Sequence, residues 1–398
     1  MENSKKNFDG FIGLSTFCKF LFNVAKRLLY PFAPEIARGL NTELLNITFI
    51  IGLNNATTLL GPLGAIFGDK YGYKLLLLFS LGFLAIGTFV AGLIPVYSVF
   101  VISLFISGLG KTIFDPSIQA LVSNIVPFEK RGKIIGITEI SWAGSTLIGI
   151  PFMSIIIVKF SWQTPFLIIG GLCLICFFIM LLIMPNDKTN IKTKTCESSL
   201  IENWKLIVKN PKVFFTLLFV FFIFAGNDNL FVVYGAWLEE SYGLSIASIG
   251  FGTILIGSSE LLGESCTLFF SDKIGLKKSV IIGALVCSFT YFFLLLLNTS
   301  LWLFLLGIFL VFFAFEFTVV SSMSFSTELM PEIRALIMSS FFATAGFGRV
   351  AGALCGGIVW SKFGSYPICI ISGVCNCIAL LLFLAGFYFQ KRLKLVKH

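Results

Sequence analysis

The chain has 398 residues, of which 57% are hydrophobic and 12% are charged, and its formal net charge is +9. Soluble domains carry about 25% charged residues, so this composition excludes a water-soluble globular protein and indicates a chain solvated by lipid. The only histidine is His398. Its position excludes a Ser/His or Cys/His catalytic pair and a zinc protease, so we expect no enzyme, no metal site and no cofactor.

Twelve apolar segments follow one another along the chain, each near the 20 or so residues that cross a bilayer as a helix. They lie near 11–34, 47–68, 75–96, 98–126, 134–158, 164–184, 213–236, 246–270, 279–298, 301–329, 335–360 and 366–390. A polar, Lys-rich segment separates the sixth from the seventh. The pattern predicts an all-α membrane protein with an N-terminal six-helix bundle (1–184), a cytoplasmic linker (185–211) and a C-terminal six-helix bundle (212–398).

The basic residues outside these spans lie mostly on one side of the predicted membrane. If the N-terminus is cytoplasmic, the opposite side holds only Arg38, Lys159 and Lys362. Cytoplasmic loops are enriched in Lys and Arg, so we expect a multi-pass protein of the plasma (inner) membrane with both termini in the cytoplasm. This distribution also explains the net positive charge without a nucleic-acid partner.

Two loops of the first half recur in the second half at a constant offset. Asp69-Lys70-Tyr71-Gly72-Tyr73-Lys74 follows span 2, and Asp272-Lys273-Ile274-Gly275-Leu276-Lys277 follows span 8, displaced by 203 residues. Arg131 after span 4 and Arg334 after span 10 are again 203 apart. The sequence therefore predicts one six-span unit used twice, a known plan among transporters.

The first of these loops resembles the signature loop of the major facilitator superfamily, G-x-L-x-D-[RK]-x-G-[RK]-[KR]. It departs from that pattern at Ala65, where the leading Gly is expected, and at Tyr73, where a basic residue is usual. The resemblance implies twelve transmembrane helices in two six-helix bundles related by pseudo-twofold symmetry. It also implies a central cavity lined mainly by spans 1, 2, 4, 5, 7, 8, 10 and 11.

The resemblance further implies gating roles for both loop pairs. The residues concerned are Asp69, Lys70, Gly72, Lys74 and Arg131 in the first half and Asp272, Lys273, Gly275, Lys277 and Arg334 in the second. Asp69 ends an inward-running helix, near its unfavourable negative end, so the carboxylate should find a positive partner. By resemblance this partner is the cytoplasmic end of span 11 when the inner gate is closed.

Ten ionisable residues fall inside the predicted spans. They are Lys26, Arg27, Lys111, Asp115, Glu139, Asp228, Glu260, Glu264, Glu316 and Arg349. Each costs roughly 2.5–3.5 kcal/mol at a helix centre that faces lipid, so they should face a polar interior. Spans 3, 6, 9 and 12 carry none of them, in agreement with the outer positions that the resemblance gives these spans. We take the ten residues as candidates for solute binding and proton coupling.

Several pairings remain open within this set. Lys111 and Asp115 are four residues apart and either neutralise each other or bind solute. Glu260 and Glu264 have the same spacing with like charge, so one of them should hold its proton. Arg27 and Asp228 occupy nearly equivalent places in the two halves and are predicted to face one another, and Arg349 and Glu139 form the analogous pair.

The favoured function is a secondary active transporter that works by alternating access, moves a small organic solute and is coupled to protons, in the direction of efflux. The alternatives are an uptake permease for a sugar or organic anion and, from a different class, a transport-inactive membrane sensor or scramblase. The carboxylates suit a cationic solute, whereas Arg27, Lys26, Lys111 and Arg349 suit an anionic one. The expected partners are the solute, protons and the bilayer, and the expected state is a monomer.

Overall fold

The computed structural model describes residues 2–61, 72–125, 128–184, 209–330 and 334–396. Over these residues every regular element is helical. In chain order the helices are α1 (Glu2–Arg27), α2 (Ala33–Gly39), α3 (Leu44–Ala56), α4 (Tyr73–Leu93), α5 (Tyr97–Ile125), α6 (Phe128–Gly144), α7 (Ile150–Lys159), α8 (Thr164–Ile183), α9 (Pro211–Phe231), α10 (Tyr234–Tyr242), α11 (Ile246–Ile274), α12 (Leu276–Leu297), α13 (Leu301–Thr327), α14 (Arg334–Phe363) and α15 (Ser365–Val396).

Two of the predicted spans contain irregular turns. A 3₁₀ turn, Thr57–Leu60, extends α3, and a π-helical turn, Ser145–Gly149, joins α6 to α7. A π-helical turn inserts an extra residue into the helical register and is frequently found at functional sites. The turn at Ser145–Gly149 therefore rotates the side chains of α7 about the helix axis relative to those of α6.

Ten helical segments of the described chain are long and apolar enough to cross a membrane, and Leu44–Leu60 is a shorter apolar helix. These eleven segments correspond to predicted spans 2 to 12. Predicted span 1 corresponds to α1, whose apolar part carries three cationic residues, Lys19, Lys26 and Arg27. The predicted all-α membrane fold is confirmed, and the first span ends at Arg27 instead of near residue 34.

The helices group into two compact units. The first unit comprises Met1–Thr193 together with Leu238–Gly257, and the second comprises Lys194–Trp237 together with Ser258–His398. The contacts therefore assign the start of α11 to the first unit. The predicted bundle boundaries at 184 and 212 stay a prediction, because residues 185–208 lie outside the described chain.

The same packing pattern occurs inside each unit. In the first unit α4 packs against α5 and α8, and α1 packs against α6 and α8. In the second unit α12 packs against α13 and α15, and α9 packs against α14 and α15. Each helix of the second set follows its counterpart in the first by about half the chain, so the internal repeat of the sequence is a repeat of structure.

The repeated loops share an unusual backbone conformation. Gly72 has φ 88° and ψ 148° before α4, and Gly275 has φ 89° and ψ 132° before α12. A side chain with a Cβ is strained at these angles, whereas glycine adopts them readily. The glycine of the predicted gating motif is therefore the residue that lets the chain turn into the next helix.

Glycines also determine how closely α14 approaches α9. Gly348, Gly352 and Gly356 lie one turn apart on α14, and a Cβ added at any of them would overlap a backbone oxygen of α9. Small residues at four-residue spacing let membrane helices approach at backbone distance. At Gly352 the added Cβ would also come within 3.0 Å of the Cβ of Asp228, so this contact places α14 directly beside a candidate residue.

Candidate functional site

Three helices of the first unit direct polar side chains toward one another. On α1, Lys19, Asn23 and Arg27 are four residues apart and therefore share one face, at a rise of about 6 Å per step. On α5, Lys111, Asp115 and Gln119 have the same spacing. We call these six residues, together with Glu139, Ser141, Trp142 and Thr146 of α6 and the π-helical turn, the polar cluster.

The first level of the polar cluster is built on Glu139. The Nζ of Lys19 lies 2.6 Å from its Oε1. The side-chain amide of Gln119 donates to the same oxygen at 3.3 Å. One carboxylate of α6 thus holds side chains of α1 and α5 together.

The second level contains the ion pair that the spacing on α5 allows. Lys111 Nζ lies 2.9 Å from Asp115 Oδ2 and donates to Asn23 Oδ1 at 2.6 Å. Asn23 in turn donates to Ser141 Oγ at 3.2 Å. The ammonium group of Lys111 is therefore neutralised by its own helix and anchored to α1.

Arg27 and Trp142 form the third level. The guanidinium carbon of Arg27 lies 4.1 Å from the centroid of the Trp142 ring, within the range of a cation–π contact. Arg27 also donates to the Trp142 carbonyl at 3.2 Å and to Thr146 Oγ1 at 3.3 Å. Lys26, the neighbouring candidate, is half-buried on a different face of α1.

In the second unit three consecutive polar residues of α9 contact three different helices. Asn227 accepts a hydrogen bond from Tyr291 of α12 at 3.2 Å. Asp228 accepts one from Arg349 of α14 at 3.3 Å, and Asn229 donates to Ser372 of α15 at 2.9 Å. Successive residues of a helix point about 100° apart, which is why one short stretch fastens α9 to three neighbours.

Three candidate carboxylates lie on α11 and α13 near a close contact between these two helices. Glu260 and Glu316 are buried, and Glu264 is half-buried. A Cβ added at Gly263 would come within 3.1 Å of the Glu316 Cβ, so this glycine brings Glu316 onto the turn of α11 that carries the other two. The sequence predicted the Glu260/Glu264 pair but not that Glu316 lies beside the same turn of α11.

The predicted pairings across the halves join residues of different units. Arg27 and Asp228 are one such pair, and Arg349 and Glu139 are the other, and both pairings stay predictions. Inside the units, the described partner of Asp228 is Arg349, and that of Glu139 is Lys19.

The predicted gating residues are described in part. Asp69 and Lys70 lie outside the described residues, as do the side chains of Arg131, Asp272 and Arg334. Lys273 lies exposed in the last turn of α11.

Two described gating lysines occupy equivalent places in the repeat. Lys74 Nζ donates to the carbonyl of Met184 at 2.5 Å. Lys277 Nζ lies 3.9 Å above the ring of Phe387, and both lysines and both partners are 203 residues apart. The contacts differ because α8 ends at Ile183 and leaves a carbonyl to be capped, whereas α15 continues past Phe387.

An exposed ion-pair triad involves the segment between α1 and α3. Arg38 binds Glu35 at 2.6 Å and Glu239 of α10 at 2.5 Å, and Glu239 is 201 residues further along the chain. Exposed pairs of this kind contribute only about 0–1 kcal/mol each. The triad therefore adds little to the stability of the first unit, and its ion pairs can break at a low cost in free energy.

Several residues of these networks were not predicted. Lys19, Asn23 and Trp142 complete the polar cluster, and Asn227 and Asn229 flank Asp228. A signal for the first set exists in the sequence, because positions 19, 23 and 27 place polar side chains on one face of an otherwise apolar helix.

Membrane-length helices that hold ion pairs and buried carboxylates in their interior define a polytopic α-helical membrane protein with a polar interior. The family model of the Major Facilitator Superfamily matches residues 15–263 and 220–396. The chain belongs to this superfamily. It is thus a transporter-family protein with the twelve-helix, two-bundle fold.

Curated relatives and solved structures agree with this assignment. The uncharacterized MFS-type transporter YceJ of Bacillus subtilis is 26% identical over 74% of each chain. The quinolone resistance protein NorA of Staphylococcus aureus is 21% identical over 89% of this chain and 91% of its own. The crystal structure of a D-xylose-proton symporter has a TM-score of 0.78 at 17% identity, covering 94% of this chain and 97% of the symporter.

Proposed function

We propose that this protein is a proton-coupled secondary transporter that exports a small organic solute. The observation that carries the proposal is that Glu260, Glu264 and Glu316 lie inside membrane-spanning helices, next to the contact that Gly263 makes with Glu316. Ionisable groups in such a position are costly and mark ion or proton pathways.

Proton exchange follows from the position of these carboxylates. Carboxylates inside membrane-spanning helices mark proton relays in pumps and transporters, so we assign proton exchange to these three residues. A change in the packing of α11 on α13 alters the separation of Glu260, Glu264 and Glu316. A conformational change that moves α11 against α13 would in this way link proton exchange to alternating access.

The direction of transport is inferred from relatives. NorA is named as a quinolone resistance protein, and this name supports export from the cell. The D-xylose-proton symporter shares the fold, and its name supports proton coupling within this architecture. The distribution of Lys and Arg supports an inner-membrane protein with both termini in the cytoplasm.

The proposal is tested with the purified protein in liposomes. A panel of sugars, organic acids and organic cations is offered with and without an imposed proton gradient. We expect at least one solute to accumulate against its concentration gradient when the lumen is acidic, and the accumulation to collapse when nigericin dissipates the pH difference. Equal flux of every panel solute with and without the gradient would contradict proton coupling, and protein-free liposomes provide the blank.

A further inference from the structure

We propose that the polar cluster of the first unit binds the positively charged group of the solute, so that the transported solute is an organic cation. This inference rests on the proposed transport function and assigns its substrate class. The charge count alone favours the opposite class, because Lys19, Lys26, Arg27 and Lys111 outnumber Asp115 and Glu139. The burial of the individual side chains reverses that expectation.

In both ion pairs of the polar cluster the side chain of the cation is less exposed than that of the carboxylate. The side chain of Lys19 is 4% exposed, whereas that of its partner Glu139 is 43% exposed. The side chain of Lys111 is 14% exposed, whereas that of Asp115 is 31% exposed. An arriving solute therefore meets carboxylate groups, with the ammonium groups behind them.

The buried cations hold the carboxylates in place. Lys111 is fixed by hydrogen bonds to Asn23 and Asp115, and Lys19 is fixed by Glu139. Asp115 Oδ1 is enclosed and accepts no hydrogen bond from the described residues. A solute reaches this oxygen only after the surrounding side chains move, so the open contact of the polar cluster is Glu139, whose side chain is 43% exposed.

An aromatic surface lies next to the accessible carboxylates. The ring of Trp142 is half-buried, and Lys111 Nζ, which binds Asp115, lies 5.9 Å from its centroid. The guanidinium of Arg27 already lies over this ring, so Trp142 offers apolar contact area to the body of the solute and not a second cation site. An organic cation with an apolar or aromatic body fits this combination better than a small inorganic ion.

The second unit shows that this arrangement is not a general property of the ion pairs in the chain. There Asp228 is completely buried at 0% exposure, whereas its partner Arg349 is 16% exposed. The accessible carboxylates are a feature of the polar cluster, so the cation subsite belongs to the first unit.

A matched pair of probes tests the inference on the wild-type protein. Tetraphenylphosphonium and tetraphenylborate have nearly the same size and shape and opposite charge. We expect the purified protein in detergent to bind tetraphenylphosphonium at least about tenfold more tightly, after subtraction of partitioning into protein-free micelles. Equal affinity, or tighter binding of the borate, would overturn the proposal.

Two substitutions of opposite expected sign separate a binding role from a bracing role. Asp115→Asn removes the charge and keeps an acceptor for Lys111, and we expect it to weaken phosphonium binding by about tenfold. Lys111→Gln removes the neutralising charge, and we expect binding to tighten severalfold. Weakening by both substitutions would overturn the proposal, because loss of helix bracing acts in one direction only. Glu43→Gln, an exposed carboxylate at the start of α3, is the control and should leave binding unchanged.

The outcome is independent of proton coupling, because equilibrium binding in detergent requires no gradient. Gradient-driven transport of other solutes together with no preference for the phosphonium ion would sink the cation subsite and leave the transport function intact. A clear phosphonium preference without any gradient-driven flux would support the cation subsite and contradict the proton-coupled transport function.

Discussion

Replacing Glu139 with leucine is expected to lower the free energy of unfolding by about 3–5 kcal/mol, the cost of leaving a buried charge without its partner. The charge in question is Lys19, which is 4% exposed and lies 2.6 Å from Glu139. Replacing Lys19 with methionine should cost much less, because the abandoned carboxylate of Glu139 is accessible to water. The burial of the partner that remains, and not the bond that is lost, determines the effect.

Thermal unfolding of the purified variants in detergent measures this asymmetry. The double variant Lys19→Met/Glu139→Leu removes both charges and should be closer in stability to the wild type than Glu139→Leu alone. The helices α1 and α6 also pack against each other away from this pair, so we expect the double variant to retain the fold. Equal losses for the two single variants, or a double variant as unstable as their sum, would contradict the account.

The second large effect is expected at Asp228. Arg349→Gln should impair folding and transport strongly, and the additional change Asp228→Asn should restore part of the loss. The reason is that Asp228 is completely buried and accepts a hydrogen bond from Arg349 at 3.3 Å. A double-mutant cycle on unfolding should show a coupling of about 0.5–3 kcal/mol, as found for residues in one ion-pair network.

The same cycle with Arg27 in place of Arg349 tests the pairing that the sequence predicts. If Arg27 faces Asp228, each single neutralisation, Arg27→Ala or Asp228→Asn, should be more harmful than the two together. Strict additivity between Asp228 and Arg349 would contradict the pairing described here. Strict additivity between Asp228 and Arg27 would contradict their predicted pairing and would assign Arg27 to its contacts with Trp142 and Thr146.

The fold was largely predictable because its signals are local. Apolar segment length is dictated by the thickness of the bilayer, so the spans could be placed without knowledge of their packing. The repeat appears in the sequence at Gly72 and Gly275, and the matching positive φ values show that one backbone turn is conserved between the halves. The exact end of the first span was missed, because Tyr30 and Phe32 continue the apolar pattern into a turn.

The contacts of the site were predictable only where both residues lie on one helix. Lys111 and Asp115 are four residues apart, and helical geometry alone brings them together. Lys19 and Glu139 are 120 residues apart in the chain, and their meeting depends on the rotation of α1 against α6. Such rotations are determined by how the helices pack, as where the glycines of α14 allow the close approach of α9. The residue pattern of one helix does not contain this information.

The sequence likewise did not predict which charged side chains of the polar cluster are the more exposed. Counting charges gives an excess of cations, but counting does not say which partner of each pair is covered. Burial is set by neighbouring helices, and in the first unit it leaves Glu139 more exposed than Lys19 and Asp115 more exposed than Lys111.

The movement of protons in response to solute is the most direct test of the transport account. The protein is reconstituted without any gradient, with a pH-sensitive dye in the lumen, and the panel solute that accumulates most strongly is added outside. The account predicts that the lumen becomes alkaline as solute enters and protons leave, and that Glu260→Gln abolishes this change while solute exchange persists. Solute entry without any change of luminal pH in the wild-type protein would contradict it.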